Sequence, residues 1–254
     1  MSNIMRHASE GGIFGATARR VLSAKVWQGI PIEHLRNGEG GYLFEDDFDT
    51  YTASDRWTLT QASAGTLARD ATQKYGVALL DCNSTTVTQG VQMQASSAGF
   101  MLTSGGLIVF EAAIALADIA TGPEFLAGLY EVDTTLIATS ALAEEGIGFK
   151  SETDNNVLLA TCKNTAGETT GTGATITAAS YDKDTVAEGA WFRLGIRIEG
   201  TEKAKFYVNG VKKSEIALNL PASTLLLVPS FVCQSGGTTD PILHIDWVKA
   251  AYRE

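Results

Sequence analysis

The clearest pattern in the chain is an alternation of apolar and polar residues over positions 191–213, WFRLGIRIEGTEKAKFYVNGVKK. Every second residue is apolar from 192 to 198, and the alternation returns from 204 to 208. A period of two residues is typical of a strand with one buried face. Asn209 and Gly210 form a dipeptide that tolerates positive φ at both centres of a tight hairpin. The segment therefore predicts three consecutive antiparallel strands.

Short apolar or alternating runs continue through the chain from Leu43 onward, separated by turn sequences rich in Gly, Ser, Thr, Asn and Asp. The runs are YGVALLDC, TTVTQGVQMQ, LIVFEAAIALA, EFLAGLYEV, EGIGF, NVLLATC and PILHIDWVKAAY. No long helical period and no internal repeat accompanies them. Many short strands without alternating helices predict a sandwich or barrel. LIVFEAAIALA is apolar on both faces, which predicts a central strand, and its Glu111 predicts one wet edge.

The first 43 residues differ from the rest, because they contain seven glycines and end near the junction sequence GEGG at 38–41. We therefore divide the chain into an N-terminal arm, 1–43, and a body, 44–254. Ala18, Val21, Leu22 and Val26 recur at helical spacing and predict a short amphipathic helix, which is marginal in isolation. The arm is expected to be extended or partly helical and to dock on the body or on another chain. The predicted docking residues are Phe14, Arg19, Arg20, Val21, Leu22, Trp27 and Ile30.

Composition and charge narrow the classes of function. The chain has 254 residues, of which 44% are hydrophobic and 19% charged, as in a folded protein. A net charge of −10 argues against a nucleic-acid partner, which requires a basic surface. The arm carries five basic and three acidic residues, which is either chance or a feature for docking on an acidic partner. The sequence contains no secretory leader and no membrane-length apolar run, which predicts synthesis in a host cytoplasm without export by a signal peptide, and no membrane partner.

The cysteines and histidines form no recognisable site. Cys82, Cys162 and Cys233 are odd in number and far apart, which predicts buried free thiols. His7, His34 and His244 have no partner at metal-ligand or nucleophile spacing. We predict structural roles for all three histidines, although a Ser-His-Asp site can assemble from distant residues.

Several segments in order resemble the concanavalin A-like lectin and glucanase jelly roll, which includes laminin-G-like and laminarinase-like proteins. The resemblance runs over about 44–254 and is carried by LFEDDFDTYTASDRWTL, LIVFEAAIALA, WFRLGIRIEG, AKFYVNGVKK and LHIDWVKAAY. It implies an all-β fold, an antiparallel jelly-roll β-sandwich preceded by the arm. Because this fold hosts hydrolases, lectins and structural modules, function has to be argued from sites.

The resemblance implies where catalytic carboxylates would lie. Glucanases of this fold carry Glu-x-Asp-x-x-Glu on a strand, and the nearest match here places Glu131 and Asp133 on one face but Leu136 where the second glutamate belongs. Retaining hydrolysis needs two carboxyl groups. The sequence therefore predicts no catalytic residues and a chain that is not an enzyme, with the carboxylates solvated at a strand end.

The resemblance also implies a calcium site, because related jelly rolls often join the first and last strands through a cation held by oxygen ligands. Asp47 and Asp246 stand at the matching positions. The alternative is that Asp47 caps a turn and Asp246 bonds a backbone amide. We predict no required cofactor and keep calcium as a secondary hypothesis.

For glycan binding, the candidates are Tyr207 with Lys203 and Lys205 on the same strand face. The tryptophans Trp57, Trp191 and Trp247 fall at core-like positions of the resemblance, so we predict that they pack rather than bind.

These observations lead to three hypotheses of function. The first is a bacteriophage virion protein, a capsid decoration, cement or head-fibre component, because surface β domains are usually exported and this chain has no leader. It would be a homo-oligomer, with a trimer as one option, anchored to other capsid or tail proteins through residues 1–43. The second is a lectin-like receptor-binding or tail protein that binds a glycan. The third is a β-glucanase-like glycoside hydrolase.

Overall fold

Two antiparallel sheets are stacked face to face and enclose one hydrophobic core. The structure, a computed structural model, describes residues 21–49, 56–62, 65–70, 76–97, 99–117, 124–138, 141–152, 155–175, 181–182, 185–186, 191–237 and 240–254. Its first elements are α1 (Ile32–Arg36), β1 (Gly41–Asp46), β2 (Trp57–Ala62), β3 (Thr66–Arg69), β4 (Ala78–Asp81), β5 (Gly90–Ala95), β6 (Leu107–Ala117) and β7 (Glu124–Glu131). There follow β8 (Ile137–Ala138), β9 (Ala141–Leu142), β10 (Gly146–Glu152), β11 (Asn155–Asn164), β12 (Gly167–Thr175), β13 (Tyr181–Asp182) and β14 (Thr185–Val186). The last strands are β15 (Phe192–Glu199), β16 (Lys203–Val208), β17 (Val211–Ile216), β18 (Leu227–Gln234) and β19 (Ile242–Arg253).

The strand order is that of a sandwich with many non-sequential neighbours. The eight-stranded sheet has the order β17-β16-β15-β6-β19-β4-β3, with β1 also paired to β19. The seven-stranded sheet has the order β12-β11-β10-β7-β18-β5-β2, and β8-β9 and β13-β14 are separate two-stranded ribbons. Neighbouring strands run antiparallel in both sheets, for example β6 with β19 in the first and β7 with β18 in the second. The predicted jelly-roll sandwich is confirmed.

The period-two alternation sorts side chains between the core and the two outer faces. Leu194, Ile196 and Ile198 of β15 and Phe206 of β16 belong to the core between the sheets. The turn after β16 has φ values of 51° at Asn209 and 76° at Gly210, as a two-residue hairpin of this type requires. The three-stranded segment predicted from the sequence is therefore present in the expected register.

One central strand is missing from the sequence prediction. β18 lies between β7 and β5 and has every residue buried, but Pro229 stands inside it, and proline argues against an interior strand. Pro229 pairs with Leu129 of β7, whereas pairing with β5 begins one residue later at Ser230. Pro229 therefore precedes the part of β18 that pairs with β5, so its missing N–H removes no hydrogen bond between these two strands.

Residues 21–37, called here the N-terminal cover, lie on the outer face of the eight-stranded sheet. Val26, Trp27 and Ile30 of the cover form a second buried cluster with Leu107 and Tyr207 of the sheet. The cover does not contain the predicted amphipathic helix, because residues 21–30 form turns and α1 begins at Ile32. Of the other predicted docking residues, Leu22 packs on this cluster and Val21 is exposed. Phe14, Arg19 and Arg20 lie outside the described residues.

Glu111 corrects the prediction of a wet edge, because its side chain is completely buried beneath the cover. The Ser23 backbone N–H donates to its carboxylate at 3.0 Å, the Ser23 hydroxyl also bonds it, and the Trp27 indole N–H donates at 2.7 Å. Burial raises the pKa of Glu111, and these hydrogen bonds oppose that rise. The single acidic residue in an apolar strand is thus the polar anchor of the cover.

Arginines of the same sheet hold the backbone of the cover. Arg197 donates to the carbonyls of Val26 and Gln28, at 3.2 and 2.7 Å, and Arg253 donates to the carbonyl of Gly29. Segments without a regular hydrogen-bond ladder need such partners when they lie on a sheet. This part of the predicted arm is thus attached to its own body, and its docking to another chain stays a prediction.

All three cysteines are free and buried, as the sequence predicted. Burial raises the pKa of the Cys82 thiol to about 12 and raises that of Cys162 further. These thiols are therefore protonated and unreactive at neutral pH. No helix in the described part of the chain is both long enough and apolar enough to cross a membrane.

Candidate functional site

A pocket opens on the outer face of the seven-stranded sheet, on the side of β2 and β5. Its volume is about 320 Å³, at the lower end of the range of roughly 300–1,000 Å³ for ligand sites. Its lining is formed by Thr60, Ala62, Thr88, Gly90, Val91, Gln92, Thr134, Thr135, Leu136, Val232 and Gln234. Most of the polar lining groups are hydroxyls and amides, and no acidic, basic or aromatic side chain belongs to this described lining.

Gln92 and Gln94 build one wall of the pocket by holding the segment that follows β7. The Leu136 N–H donates to Gln92 Oε1 at 3.0 Å, and the Gln92 amide donates to the carbonyl of Asp133. The Asp133 N–H donates to Gln94 Oε1 at 3.1 Å, and Gln94 Nε2 donates to the carbonyl of Glu131 at 3.0 Å. Two side chains on one face of β5 thus satisfy the backbone of a segment that has no strand partner at this point.

The lining of the pocket also includes Gln234, whose amide donates to the completely buried side chain of Glu124. An amide has two N–H donors and one oxygen acceptor, so this bond leaves Gln234 with further capacity for a ligand.

Thr88, another lining residue, is exposed and has a φ of 68°, a left-handed conformation that is rare for a β-branched residue. Such strain is found most often at functional sites.

The residues predicted to bind a glycan lie elsewhere, on the outer face of the eight-stranded sheet. Tyr207 was expected to be exposed, but it is 6% exposed because the N-terminal cover packs on it. Lys205 Nζ lies 2.8 Å from Glu199 Oε2, and Lys203 Nζ lies 3.8 Å from Glu215 Oε1. The two lysines thus have acidic neighbours of their own, and nothing brings these three residues to the pocket.

The two predicted calcium ligands differ in environment. Asp246 is completely buried beside a β-bulge of β19, between Ile245 and Trp247, whereas Asp47 is exposed and accepts the Asp49 N–H at 3.4 Å. Among the described residues, no group of three or more His, Cys, Asp or Glu side chains could hold a metal ion. Calcium at this place would therefore depend on backbone carbonyls, and the site stays a prediction.

The glucanase-like motif does not lie within one strand. β7 ends at Glu131, and Asp133 belongs to the segment held by the two glutamines. Leu136 is buried in a cluster on the outer face. Burial raises the pKa of Glu131, and the neighbouring carboxylates of Glu144, Glu145 and Asp133 raise it further. Glu131 has the same strand parity as core residues of β7, so its side chain does not point into the pocket.

The histidines that the structure describes are in different settings. His244 is buried with its Nδ1 3.4 Å from Asp70 Oδ2, and burial lowers its pKa while Asp70 opposes the change. His34 is exposed beside Glu39. His7 lies outside the described residues.

Of the tryptophans, Trp57 packs in the core, and Trp191 and Trp247 are buried together on the outer face of the eight-stranded sheet.

The pocket and the two glutamines that hold its wall were not predicted from the sequence. A signal was present, because Gln92 and Gln94 alternate with Val91 and Met93 in a strand whose six residues are all buried. Buried amides at alternate positions indicate that something polar covers that face. Which segment covers it depends on the long-range approach of residues about 40 positions away, as in the bond between Gln92 and Leu136.

The chain is similar in structure to several solved proteins at low sequence identity. An endo-1,3-β-glucanase from Streptomyces sioyaensis is 12% identical over 83% of this chain and 95% of that chain, with a TM-score of 0.50. A protein of unknown function from Shewanella oneidensis MR-1 is 14% identical over 88% and 94%, with a TM-score of 0.56. A carbohydrate esterase from the Shiga toxin-encoding bacteriophage phi24B is 14% identical over 78% and 91%, with a TM-score of 0.50. No protein-family model and no curated protein matches the chain.

These neighbours correct the prediction that the chain is not an enzyme. Besides the Streptomyces protein, four further glucanases or GH16 proteins match it with TM-scores of 0.50 or 0.51. Glycoside hydrolysis therefore has to be treated as a candidate function, although identities of 12 to 14% show the fold alone. On its strand order and on these likenesses, the chain has the concanavalin A-like jelly-roll fold that the β-glucanases share.

Proposed function

We propose that this chain binds a carbohydrate in the pocket on the outer face of the seven-stranded sheet. The observation that carries the proposal is the chemistry of the lining, in which Thr and Gln side chains adjoin the aliphatic side chains of Leu136 and Val232 on the outer face. A sugar ring presents hydroxyl groups at its rim and C–H groups on its faces. Such a ligand can exchange hydrogen bonds with Thr and Gln side chains while its C–H faces contact the aliphatic ones.

A pair of threonines on one strand tests the proposal. Thr60 lines the pocket, whereas Thr58, two residues earlier on the same face of β2, does not. Thr60→Val removes a hydroxyl at nearly constant volume, and we expect it to weaken glycan binding by roughly tenfold, as the loss of about 1.4 kcal/mol would. Thr58→Val is the matched control. Calorimetric titration with a panel of neutral and acidic glycans measures both, and equal effects of the two variants would refute the assignment.

Glycoside hydrolysis is the second candidate, and the acidic residues near the end of β7 favour it. Glu131 has a raised pKa with Glu144, Glu145 and Asp133 as charged neighbours, and a carboxyl group with a raised pKa is what a general acid needs. The test is reducing-end release from β-1,3- and β-1,3-1,4-glucans by the full chain. If this candidate holds, Glu131→Gln abolishes the release. A chain that releases no reducing ends from either polymer would refute it.

The role in a bacteriophage virion stays a prediction from the sequence, as do the homo-oligomer and the docking of residues 1–43 to capsid or tail proteins. The phage esterase among the structural neighbours supports it only through its fold. Deletion of residues 2–20 tests the docking of the arm. The deletion stops before the N-terminal cover, because removal of the cover would expose the apolar surface of Leu107 and Val109. We expect the shortened chain to fold and to lose association with virus particles, and retained association would refute the anchoring role.

A further inference from the structure

Residues 132–138 and 141–145, together called here the strap, lie on the outer face of the seven-stranded sheet. On one side Gln92 and Gln94 of β5 hold the backbone at Asp133 and Leu136. On the other side Lys163 of β11 donates to the carbonyl of Ala143 at 2.6 Å. Because β18, β7 and β10 lie between β5 and β11 in the sheet order, the strap is fastened at two places that are separated by three strands.

The underside of the strap is apolar and buried. Leu136 and Leu142 pack on Leu126 and Tyr130 of β7 and on Val232 of β18. Tyr130 in turn lies over Gly146 and Gly148 of β10, where a Cβ would overlap its ring. The two missing side chains therefore let the aromatic ring lie close to the sheet beneath the strap. The hydrogen bonds at Asp133, Leu136 and Ala143, together with the burial of Leu136 and Leu142, indicate that these described parts of the strap belong permanently to the fold.

The strap separates the pocket from the rest of the outer face. Thr134, Thr135 and Leu136 line the pocket from the side of the sheet centre, while β2, the edge strand, lies on the other side. An open groove across the sheet would accept the middle of a long polysaccharide. A pocket of about 320 Å³ with the strap as a wall on one side suits a single terminal unit of a polysaccharide rather than an internal stretch.

We propose that the pocket is a chain-end site, which takes the terminal sugar of a neutral glycan and excludes internal stretches of a polysaccharide. Neutral sugars are expected because the described lining contains no charged side chain and because the net charge of −10 repels acidic glycans. This inference rests on the proposed carbohydrate binding, and it adds the part of the glycan that is recognised.

The length dependence of binding tests the inference. For the sugar that binds best in the glycan panel, the probes are its methyl glycoside, its linear oligosaccharides from two to about six units, and a cyclic oligosaccharide of the same sugar. If the pocket holds one terminal residue, the dissociation constants of the linear probes agree within about threefold, because added units make few contacts. The cyclic probe, which has no end, is expected not to bind measurably.

Gln94→Ala tests the role of the strap, because Gln94 holds the strap backbone although its own side chain is not among the lining residues. The variant removes the side chain that bonds Asp133 and Glu131. In this variant we expect faster hydrogen exchange in residues 132–138. We also expect its affinity for the linear oligosaccharides to increase with their length, which the affinity of the unsubstituted protein does not. Gln61→Ala is the matched control, because Gln61 is exposed on β2 and also donates to a backbone carbonyl, that of Gly65. The control is expected to behave as the unsubstituted chain.

Each outcome decides a different statement. The chain-end site would be overturned if the affinity of the unsubstituted chain rose more than tenfold with glycan length, or if the cyclic probe bound. Either result would leave carbohydrate binding intact. Unchanged exchange and unchanged length dependence in Gln94→Ala would overturn the role of the strap. Failure of every glycan in the panel to bind would overturn the proposed function, and the chain-end site with it.

Discussion

Replacement of Glu111 by alanine is the sharpest test of how the N-terminal cover is held. The variant removes the acceptor of three buried donors, the Ser23 backbone N–H, the Ser23 hydroxyl and the Trp27 indole N–H. An unsatisfied buried donor costs about 1–3 kcal/mol. The variant also recovers the cost of burying a carboxylate, which is the cause of the raised pKa of Glu111. We therefore expect a net loss of about 2–3 kcal/mol in the free energy of unfolding.

Glu111→Gln provides a graded comparison. Its amide oxygen can take the place of the carboxylate oxygen that accepts the Ser23 and Trp27 N–H groups, and its NH₂ group can donate to the Ser23 hydroxyl, so we expect a smaller loss of roughly 1–2 kcal/mol. Glu202→Ala is the control, because Glu202 is exposed on a turn. A surface substitution of this kind changes stability by less than about 0.5 kcal/mol.

Urea unfolding followed by far-ultraviolet circular dichroism gives the free energies, and hydrogen exchange locates the effect. In Glu111→Ala, exchange is expected to accelerate in residues 21–37 and to stay unchanged in β7, on the opposite sheet. The reasoning is wrong if Glu111→Ala unfolds at the same urea concentration as the unsubstituted chain and its residues 21–37 remain as protected as before.

Four variants test other parts of the fold. Arg36 is the main cause that lowers the pKa of Glu45 to about 2, so the stability that Glu45 adds is present above about pH 4.5 and is lost as the pH falls toward 2. Melting temperatures of Glu45→Gln and the unsubstituted chain should therefore differ at pH 6 and converge near pH 2, and a constant difference would contradict this. The Tyr130 hydroxyl is buried without a hydrogen-bond partner among the described residues, so Tyr130→Phe should raise the free energy of unfolding by about 1 kcal/mol. Gly146→Ala places a methyl group where the Tyr130 ring lies and should lower the free energy of unfolding by about 1–3 kcal/mol. Urea titration measures both variants. Thr88→Asn introduces a residue type that tolerates the positive φ at this position, so the variant should have a higher melting temperature than the unsubstituted chain. A lower melting temperature would show that Thr88 is not strained.

The fold was largely predictable because alternation of apolar and polar residues is a local property. β6, predicted from LIVFEAAIALA, has those bounds in the structure. β15, β16 and the hairpin at Asn209 also lie where the pattern placed them. β18 escaped prediction because Pro229 breaks the local pattern, and the sheet tolerates it only through the pairing of distant strands.

The candidate site was much less predictable, since each of its parts joins residues that are far apart in sequence. The amides of Gln92 and Gln94 have partners about 40 residues later. The exposed or buried state of Tyr207 is decided by the N-terminal cover, about 180 residues earlier. Ligand contact by Tyr207 was predicted from strand parity, which identifies the face of the sheet but does not show that the N-terminal cover lies on it.

The sequence by itself thus determined the strands, the face on which most of their side chains lie, the tight hairpin and the buried thiols. The strands, their faces and the hairpin follow from the period of two residues and from local backbone preferences, and the buried thiols follow from the odd number and wide spacing of the cysteines. Only the tertiary structure decided which segments cover the two outer faces, and therefore that Glu111 is an anchor and that a pocket remains beside the strap. The physical reason is that a buried polar group takes its partner from whichever segment reaches it in space, and that choice is settled by packing over the whole chain.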